Sequence, residues 1–281
     1  MAAATYKIEN VYFGAKVGEL PVLQLGVSDH YQACLTRNEL LSDGDNTGMR
    51  VYMAAHILIR FFVQQKEILK DSYICELGCG TGIVSLSCIK FSEALSALVT
   101  DGSKNAVELA QANIQSLGLQ SRVAASQLVW GQEQQQIPTL IGSFDIVLAS
   151  DLVYYNTDVL LLTSTARSLL KKEGLFIHSH HFRQLDSVAR LVECLSSAGW
   201  QTAEAPLNSF VDASELQQHV DWNNAKCLIS GPPNVIECLM SENLLWRIFG
   251  VEEEEEKDTG TELDHDDEEH FGGTFGELFG G

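Results

Sequence analysis

The clearest chemical signal in the chain is a glycine-rich stretch, ELGCGTG, which runs from Glu76 to Gly82. It follows a segment typical of a buried strand and precedes a segment typical of a helix. Gly78, Gly80 and Gly82 allow the backbone to turn tightly and a ligand to approach closely. The helix N-terminus behind the loop offers free N–H groups to a carboxylate or a phosphate. The stretch therefore predicts a ligand site lined by backbone.

Two acids narrow the kind of ligand. A dinucleotide-binding loop reads GxGxxG, whereas this loop reads GxGxG and has Glu76 two residues before its first glycine. Glu76 would repel a diphosphate and suits a ligand with an amino group. Asp101, which ends the next apolar segment, can accept hydrogen bonds from ribose hydroxyls. S-adenosylmethionine fits these features, and a nicotinamide-binding domain with a variant loop is the alternative.

Apolar strands and amphipathic helices alternate from residue 48 to about residue 250 and must position these residues. The predicted strands are YICELG, ALSALVTD, RVAASQLVW, FDIVLASD, LFIHSH, WQTAEAPL and LLWRIFG. Helices separate most of them, and the one before LFIHSH is expected to end at Gly174. Such alternation implies a mostly parallel sheet, in which ligands bind beyond the carboxyl ends of the strands. We therefore expect an α/β fold with a Rossmann-like, doubly wound, seven-stranded sheet.

The two ends of the chain differ from this middle zone, residues 48–250. Residues 1–47 contain short β-like pieces and are expected to form an N-terminal part, either a small hairpin or an extension, that packs on the main domain. Residues 251–281 hold 13 acids and one lysine, followed by a stretch rich in glycine and phenylalanine. This acidic tail cannot bury enough apolar surface to order itself and is predicted to be disordered. Residues 207–242 carry one predicted helix, ASELQQHV, and are otherwise unassigned.

Charge and cysteine content restrict the partners and the compartment. The net charge of −20 is a poor match for nucleic acid, which requires a basic surface, and is compatible with a basic protein. No apolar run is long enough to span a membrane, and the N-terminus lacks the features of a signal peptide. Seven scattered cysteines fit free thiols in a reducing compartment. We expect a cytoplasmic protein, with the nucleus as a second compartment, and no metal site.

The order of these motifs resembles the class I, seven-β-strand methyltransferases. Three further features resemble family 16, the seven-strand protein methyltransferases that mostly modify lysine. They are TGMRVYMAAHILIRFF before the first strand, LVWG after the third, and Asp151 to Tyr154 as a D-x-x-Y motif after the fourth. The resemblance covers about residues 47–200. The family carries a tryptophan where this chain has Tyr52.

The resemblance implies residues that contact S-adenosylmethionine. The implied set is Tyr52, Glu76, Gly78, Cys79, Gly80, Asp101, Trp130 and Ser150. The loop residues would surround the methionine part, Asp101 would hold the ribose, and Trp130 would lie along the adenine. A purely structural role in the core is the alternative for Trp130.

The resemblance also implies that Asp151 and Tyr154 line the channel for the methyl acceptor. A lysine arrives protonated at neutral pH, so Asp151 would attract the ammonium and orient the amine. The phenol of Tyr154, together with Tyr155, would give an aromatic wall for the cation. The simpler alternatives are that Tyr154 only packs and that Asp151 caps the next helix, although Thr157 or Asn156 is better placed for a cap.

These expectations combine into a protein N-methyltransferase that acts on lysine and has Asp151 and Tyr154 as catalytic residues. Three alternatives stay open, namely methylation of a protein histidine, methylation of a small molecule, and a non-catalytic binding scaffold. The remaining polar cluster, His178, His180 and His181, is interpreted as a rim that alternates outward from its strand.

Overall fold

The structure is a computed structural model, and it describes residues 6–12, 22–28, 48, 51–154, 157–181, 185–211, 225–242 and 246–249. The predicted disordered tail, residues 251–281, lies outside the described residues. So do most of the N-terminal extension, the predicted helix ASELQQHV, and residues 155 and 156. The division into domains therefore stays a prediction.

Ten strands occur in the described part of the chain. They are β1 (Tyr6–Tyr12), β2 (Val22–Ser28), β3 (Tyr73–Leu77), β4 (Ser96–Asp101), β5 (Val123–Gln127), β6 (Phe144–Ser150), β7 (Leu170–His181), β8 (Gln201–Glu204), β9 (Ala225–Gly231) and β10 (Arg247–Ile248). Strands β1 and β2 pair antiparallel as a hairpin, and β2 lies next to the helix that follows β4. A small hairpin was one of the two forms expected for this region.

Seven α-helices accompany these strands in the described residues. They are α1 (Met53–Gln64), α2 (Ile83–Phe91), α3 (Lys104–Ser116), α4 (Glu133–Gln136), α5 (Val159–Leu169), α6 (Leu185–Ser197) and α7 (Pro233–Glu242). None of the helices in these ranges is long and apolar enough to cross a membrane.

The main sheet contains eight of the strands, in the order β10-β8-β9-β7-β6-β3-β4-β5. Strands β5, β4, β3, β6 and β7 run parallel to their neighbours. Strands β9, β8 and β10 are joined antiparallel. The chain first builds outward from β3 to β5 and then returns to place β6 on the other side of β3. The carboxyl ends of β3, β4 and β6 therefore meet where the strand order reverses, which is where such sheets bind ligands.

The eighth strand is β9, which the sequence did not reveal. It lies in the unassigned segment 207–242, antiparallel to both β7 and β8, and six of its seven residues are buried. A strand covered on both faces is a short apolar run, and periodicity alone does not distinguish such a run from a helix.

Helices cover both faces of the sheet and create two apolar cores. Ile74 of β3 belongs to the core formed with α1 and α2. Its neighbours Cys75 and Leu77 belong to the core formed with α5 and α6. Alternate residues of β3 therefore point into opposite cores, which directs the side chain of Glu76 toward α2.

The helix before β7 is shorter than the sequence indicates. It was expected to continue to Gly174, but α5 ends at Leu169 and the next residue already pairs with Phe144 of β6. Lys171 forms an ion pair with Asp145, with Nζ and Oδ1 2.7 Å apart. Pairing within the sheet thus overrides the helical propensity of this polar segment.

Candidate active site

The glycine loop is enclosed by two other segments of the chain. Gly78, Gly80 and Gly82 all have positive φ angles, of 56°, 53° and 78°. A Cβ atom on Gly78 would lie 2.4 Å from Cδ2 of Leu152, and one on Gly80 would lie 2.5 Å from the carbonyl oxygen of Gly48. Glycine is therefore required at both positions by conformation and by space. The loop that follows β6 reaches the glycine loop directly.

Glu76 is buried and supports the helix behind the loop. Its Oε2 atom accepts a hydrogen bond of 2.8 Å from the N–H of Ser85, in the first turn of α2, whose N-cap Gly82 has no side chain to accept one. Burial raises the pKa of Glu76 to about 7, and the charge of Asp101 acts in the same direction. A bound ammonium nearby would offset this effect and favour the ionised form.

Asp101 joins the glycine loop to the start of α3. Its Oδ2 atom accepts a hydrogen bond from the N–H of Gly80 at 3.0 Å, and its Oδ1 atom accepts one from the N–H of Ser103 at 2.9 Å. The structure thus places this half-buried carboxylate at the carboxyl end of β4, beside the loop. This is the position from which a ribose could be held.

Asp151 directly follows β6 in an unusual backbone conformation. Its φ angle is 57°, and the only other non-glycine residue with positive φ in the described ranges is Asp71. Two hydrogen bonds to β7 hold it: its N–H donates to the carbonyl of Ser179 at 2.9 Å, and its Oδ1 accepts from the N–H of His181 at 3.2 Å. A left-handed non-glycine residue costs on the order of 1–3 kcal/mol and is typical of functional sites.

A different acid caps α5. Asp158 accepts hydrogen bonds from the N–H groups of Leu160 and Leu161, at 3.1 and 3.0 Å. The interpretation of Asp151 as the cap is therefore wrong, and so is the placement of that role at Thr157. The hydroxyl of Thr157 instead closes the preceding turn.

Tyr154 lies in that turn and is exposed. Its N–H donates to Oγ1 of Thr157 at 3.0 Å, and the same hydroxyl donates to the carbonyl of Leu152 at 2.9 Å. The turn is thereby fixed, and the ring of Tyr154 lies on the surface close to Asp151. About half of its side chain is exposed (49%), so the ring is accessible to a ligand. Tyr155 and Asn156 lie outside the described residues.

Trp130 is half-buried against the core formed with α5. The turn that carries it is fastened to α5 by a network that the sequence did not reveal. Gly131, with φ of 82°, donates its N–H to Oγ1 of Thr165 at 2.9 Å. Thr165 in turn donates to Oε2 of the buried Glu133 at 3.2 Å. The indole is thus held at the carboxyl edge of the sheet, and core packing and contact with a ligand are compatible for it.

The remaining predicted contacts also gather at this edge. Tyr52 is the half-buried N-cap residue of α1, and Ser150 is the last residue of β6, paired with Ser179 of β7. Cys79 is buried, and its N–H donates to the carbonyl of Thr100 at 2.8 Å. Burial raises the pKa of the Cys79 thiol well above its usual value, so the thiol stays protonated.

The interpretation of the histidines as a rim is wrong for His178 and His180, which are buried. Their Nδ1 and Nε2 atoms lie 2.7 Å apart, and Nε2 of His178 lies 3.1 Å from Oγ of Ser230. Oγ of Ser230 in turn lies 2.8 Å from Oγ1 of Thr202, within hydrogen-bond distance. Burial lowers the pKa of His180 to about 3, so both rings are neutral at neutral pH. This network links β7, β9 and β8 within the core.

Comparison with known proteins identifies the class of this fold and site. The family model described as lysine methyltransferase matches residues 34–193, more than half of the 281 residues. The chain belongs to this lysine methyltransferase family.

Three relatives illustrate the range of similarity. The chain is 28% identical over 163 residues to the protein-lysine N-methyltransferase EFM3 of Chaetomium thermophilum, covering 54% of this chain and 47% of that protein. It is 29% identical over 140 residues to a calmodulin-lysine N-methyltransferase of Arabidopsis thaliana, covering 47% and 45%. It is 31% identical over 156 residues to EEF1A lysine methyltransferase 3 of Mus musculus, covering 52% and 63%. The chain thus spans about half the length of the first two.

Proposed function

We propose that this protein is an S-adenosylmethionine-dependent protein N-methyltransferase that acts on lysine side chains. The observation that carries the proposal is the contact between the glycine loop and the loop after β6. Gly78 packs directly against Leu152, the residue that follows the strained acid Asp151. A ligand seated on the glycine loop would therefore lie beside the segment that carries Asp151 and Tyr154.

The residues around the glycine loop fit S-adenosylmethionine. Glu76 and Asp101 are acids that suit an ammonium and a ribose, and no phosphate-binding cation stands between them on the loop. When bound, the cofactor supplies an electrophilic methyl group on a sulfonium. Glu76, Gly78 and Gly80 would hold its methionine part, and Trp130 its adenine.

Asp151 would act on the acceptor lysine through its position and its negative charge. Methyl transfer requires an amine lone pair in line with the methyl group, so orientation supplies much of the acceleration. Asp151 would attract the lysine ammonium and orient the amine after a proton has left for water or for this carboxylate. Tyr154 would offer the face of its ring to the cation.

A protein substrate follows from the relatives, whose names record EEF1A and calmodulin as proteins that they methylate. We propose a basic substrate region in the present case, because the chain has a net charge of −20. Removal of residues 251–281 is expected to lower kcat/KM at low salt and to have less effect at high salt. Equal kcat/KM at low salt would contradict steering by the acidic tail. The buried free thiols fit a cytoplasmic location.

The proposal is tested with radiolabelled S-adenosylmethionine and a lysate of cells in which the gene is disrupted. Labelled proteins are hydrolysed and the methylated amino acid is identified. Methyl-lysine that disappears in Asp151→Asn supports the proposal. Asp71→Asn is the matched control, because Asp71 has the same backbone strain at the opposite end of the sheet and should retain activity.

Each other outcome selects an alternative. Methyl-histidine would indicate a protein-histidine methyltransferase. Cofactor binding without any labelled protein would indicate a small-molecule acceptor, and a chain that does not bind the cofactor would be a scaffold.

A further inference from the structure

Large apolar side chains are exposed around the candidate acceptor site. Four of them form what is called here the apolar rim: Val129 (38% exposed), Tyr154 (49%), Leu160 (68%) and Leu161 (42%). In the described residues, two further large apolar side chains are exposed, Tyr73 and Leu95. Both lie at the opposite end of the sheet, at the start of β3 and just before β4. The rim therefore belongs to the edge that carries Asp151.

The members of the apolar rim are structurally connected. Cδ2 of Leu161 lies 2.9 Å from the position of a Cβ atom on Gly131, two residues after Val129. Leu160 and Leu161 form the first turn of α5, which begins directly after the turn that Thr157 closes around Tyr154. The four side chains thus stand on three segments at the carboxyl edge of the sheet: the turn after β5, the start of α5 and the turn that carries Tyr154.

The packing of α5 against the sheet does not account for the exposed leucines of the apolar rim. Three leucines are consecutive in the first turn of α5, and only Leu162 is fully buried. The helix already packs through one apolar face, to which Val159, Leu162 and Ala166 belong. Leu160 and Leu161 lie outside that face, and several large apolar side chains exposed at one edge of a molecule are typical of an interaction site.

The charges in this region indicate the chemistry of the partner. Residues 123–166 contain four acids, at positions 133, 145, 151 and 158, and no lysine or arginine. Asp151 and Asp158 lie on the same edge as the apolar rim, with Asp158 exposed between Tyr154 and Leu160. This surface combines apolar side chains with acids, and residues 123–166 add no cation to it. It therefore complements a partner peptide that carries a positive charge beside an apolar side chain.

We propose that the apolar rim is the docking surface for a large apolar residue that flanks the target lysine in the protein substrate. This inference rests on the proposed function and assigns Leu160 and Leu161 as specificity-determining residues. The lysine would enter beside Asp151 while its apolar neighbour covers the two leucines. Selection among lysines would then come from contacts outside the reacting atoms.

The test compares methylation of the gene-disrupted lysate by wild type, Leu160→Ser and Leu161→Ser under limiting enzyme. We expect the initial rate of labelling to fall at least about tenfold in Leu160→Ser, as is typical when an interface anchor is truncated. The affinity for S-adenosylmethionine, measured by calorimetry, should stay within about twofold of wild type, since Leu160 is 68% exposed and is not one of the predicted cofactor residues.

Leu95→Ser is the matched control, because Leu95 is as exposed as Leu161 but lies at the other end of the sheet. Its labelling rate should equal that of wild type. Unchanged labelling in both Leu160→Ser and Leu161→Ser would overturn the docking surface while leaving the proposed function intact. Absence of labelling by wild type would instead overturn the proposed function. Thermal unfolding of each variant separates a loss of docking from a loss of folding.

Discussion

The two ends of β6 carry the same residue type in opposite roles. At the amino end, Asp145 accepts a hydrogen bond of 2.9 Å from the N–H of Tyr73 and forms a 2.7 Å ion pair with Lys171. At the carboxyl end, Asp151 has positive φ and accepts from the backbone of His181. The first acid is matched by a cation of the fold, whereas the second is held in a strained backbone. Asp71, just before β3, also has positive φ at the amino edge, so the contrast holds between the two acids of β6 and not between the two edges as a whole.

The largest expected effect separates these two acids. Asp151→Asn should lower kcat/KM by roughly 100-fold or more, because the charge proposed to attract the amine is lost while asparagine still tolerates positive φ. Asp145→Asn should leave kcat/KM nearly unchanged and reduce the free energy of unfolding by about 1 kcal/mol or less. Steady-state kinetics and urea unfolding of both variants measure this contrast. Similar kinetic losses in the two variants would remove the distinction between the ends.

A second comparison concerns glycines with positive φ. Gly80→Ala places a Cβ atom against the carbonyl oxygen of Gly48, so we expect a destabilisation of about 2–4 kcal/mol and loss of cofactor binding. Gly118, with φ of 68° between α3 and β5, has no atom within 4 Å of such a Cβ. Gly118→Ala should cost about 1 kcal/mol, from backbone strain alone. Equal losses would show that space around the glycine loop is not limiting.

The third prediction concerns pH and the buried Glu76. Its pKa rises from 4.5 to about 7 on folding, so between these pH values the folded state binds more protons than the unfolded state. The free energy of unfolding should therefore fall as pH rises from 4.5 to 7, by roughly 3 kcal/mol from this group. Glu76→Gln should lack that part of the slope. Urea unfolding of both proteins at pH 5 and pH 7.5 measures the difference, and parallel pH profiles would contradict it.

The smallest effect is expected from loss of the hydrogen bonds that hold the turn carrying Trp130. Thr165→Val removes the hydroxyl that accepts from Gly131 and donates to Glu133, so the Michaelis constant for the cofactor should rise about threefold to tenfold with kcat little changed. Thr163→Val is the control, because its buried hydroxyl has no hydrogen-bond partner among the described residues. It should be neutral or slightly stabilising. An equal Michaelis constant in both variants would show that the network does not position the turn.

The sequence predicted those structural features of this edge that are local in the chain. The glycine loop, the acid at the end of β4 and the alternation of strands and helices follow from spacing within short segments. The buried histidines were not predictable in this way. Alternation along β7 indicated an exposed face, but β9 pairs beside it and helices cover both faces, so both sets of side chains are buried. The N-cap of α5 is Asp158, one residue after Thr157, and side-chain preference alone does not distinguish between these neighbouring positions.

Ser179 of β7 forms hydrogen bonds to two segments that border the candidate site. Its carbonyl accepts from the N–H of Asp151, and its hydroxyl donates to the carbonyl of Ala54 in α1 at 2.6 Å. One residue of β7 thus connects Asp151 to α1, whose N-cap residue is Tyr52. A slip of β7 by one position would turn this hydroxyl to the other face of the sheet. Under the proposed function, the alignment of donor and acceptor would depend on strand register, and we expect a variant that loosens the pairing of β7 to lower activity without a change at the site residues.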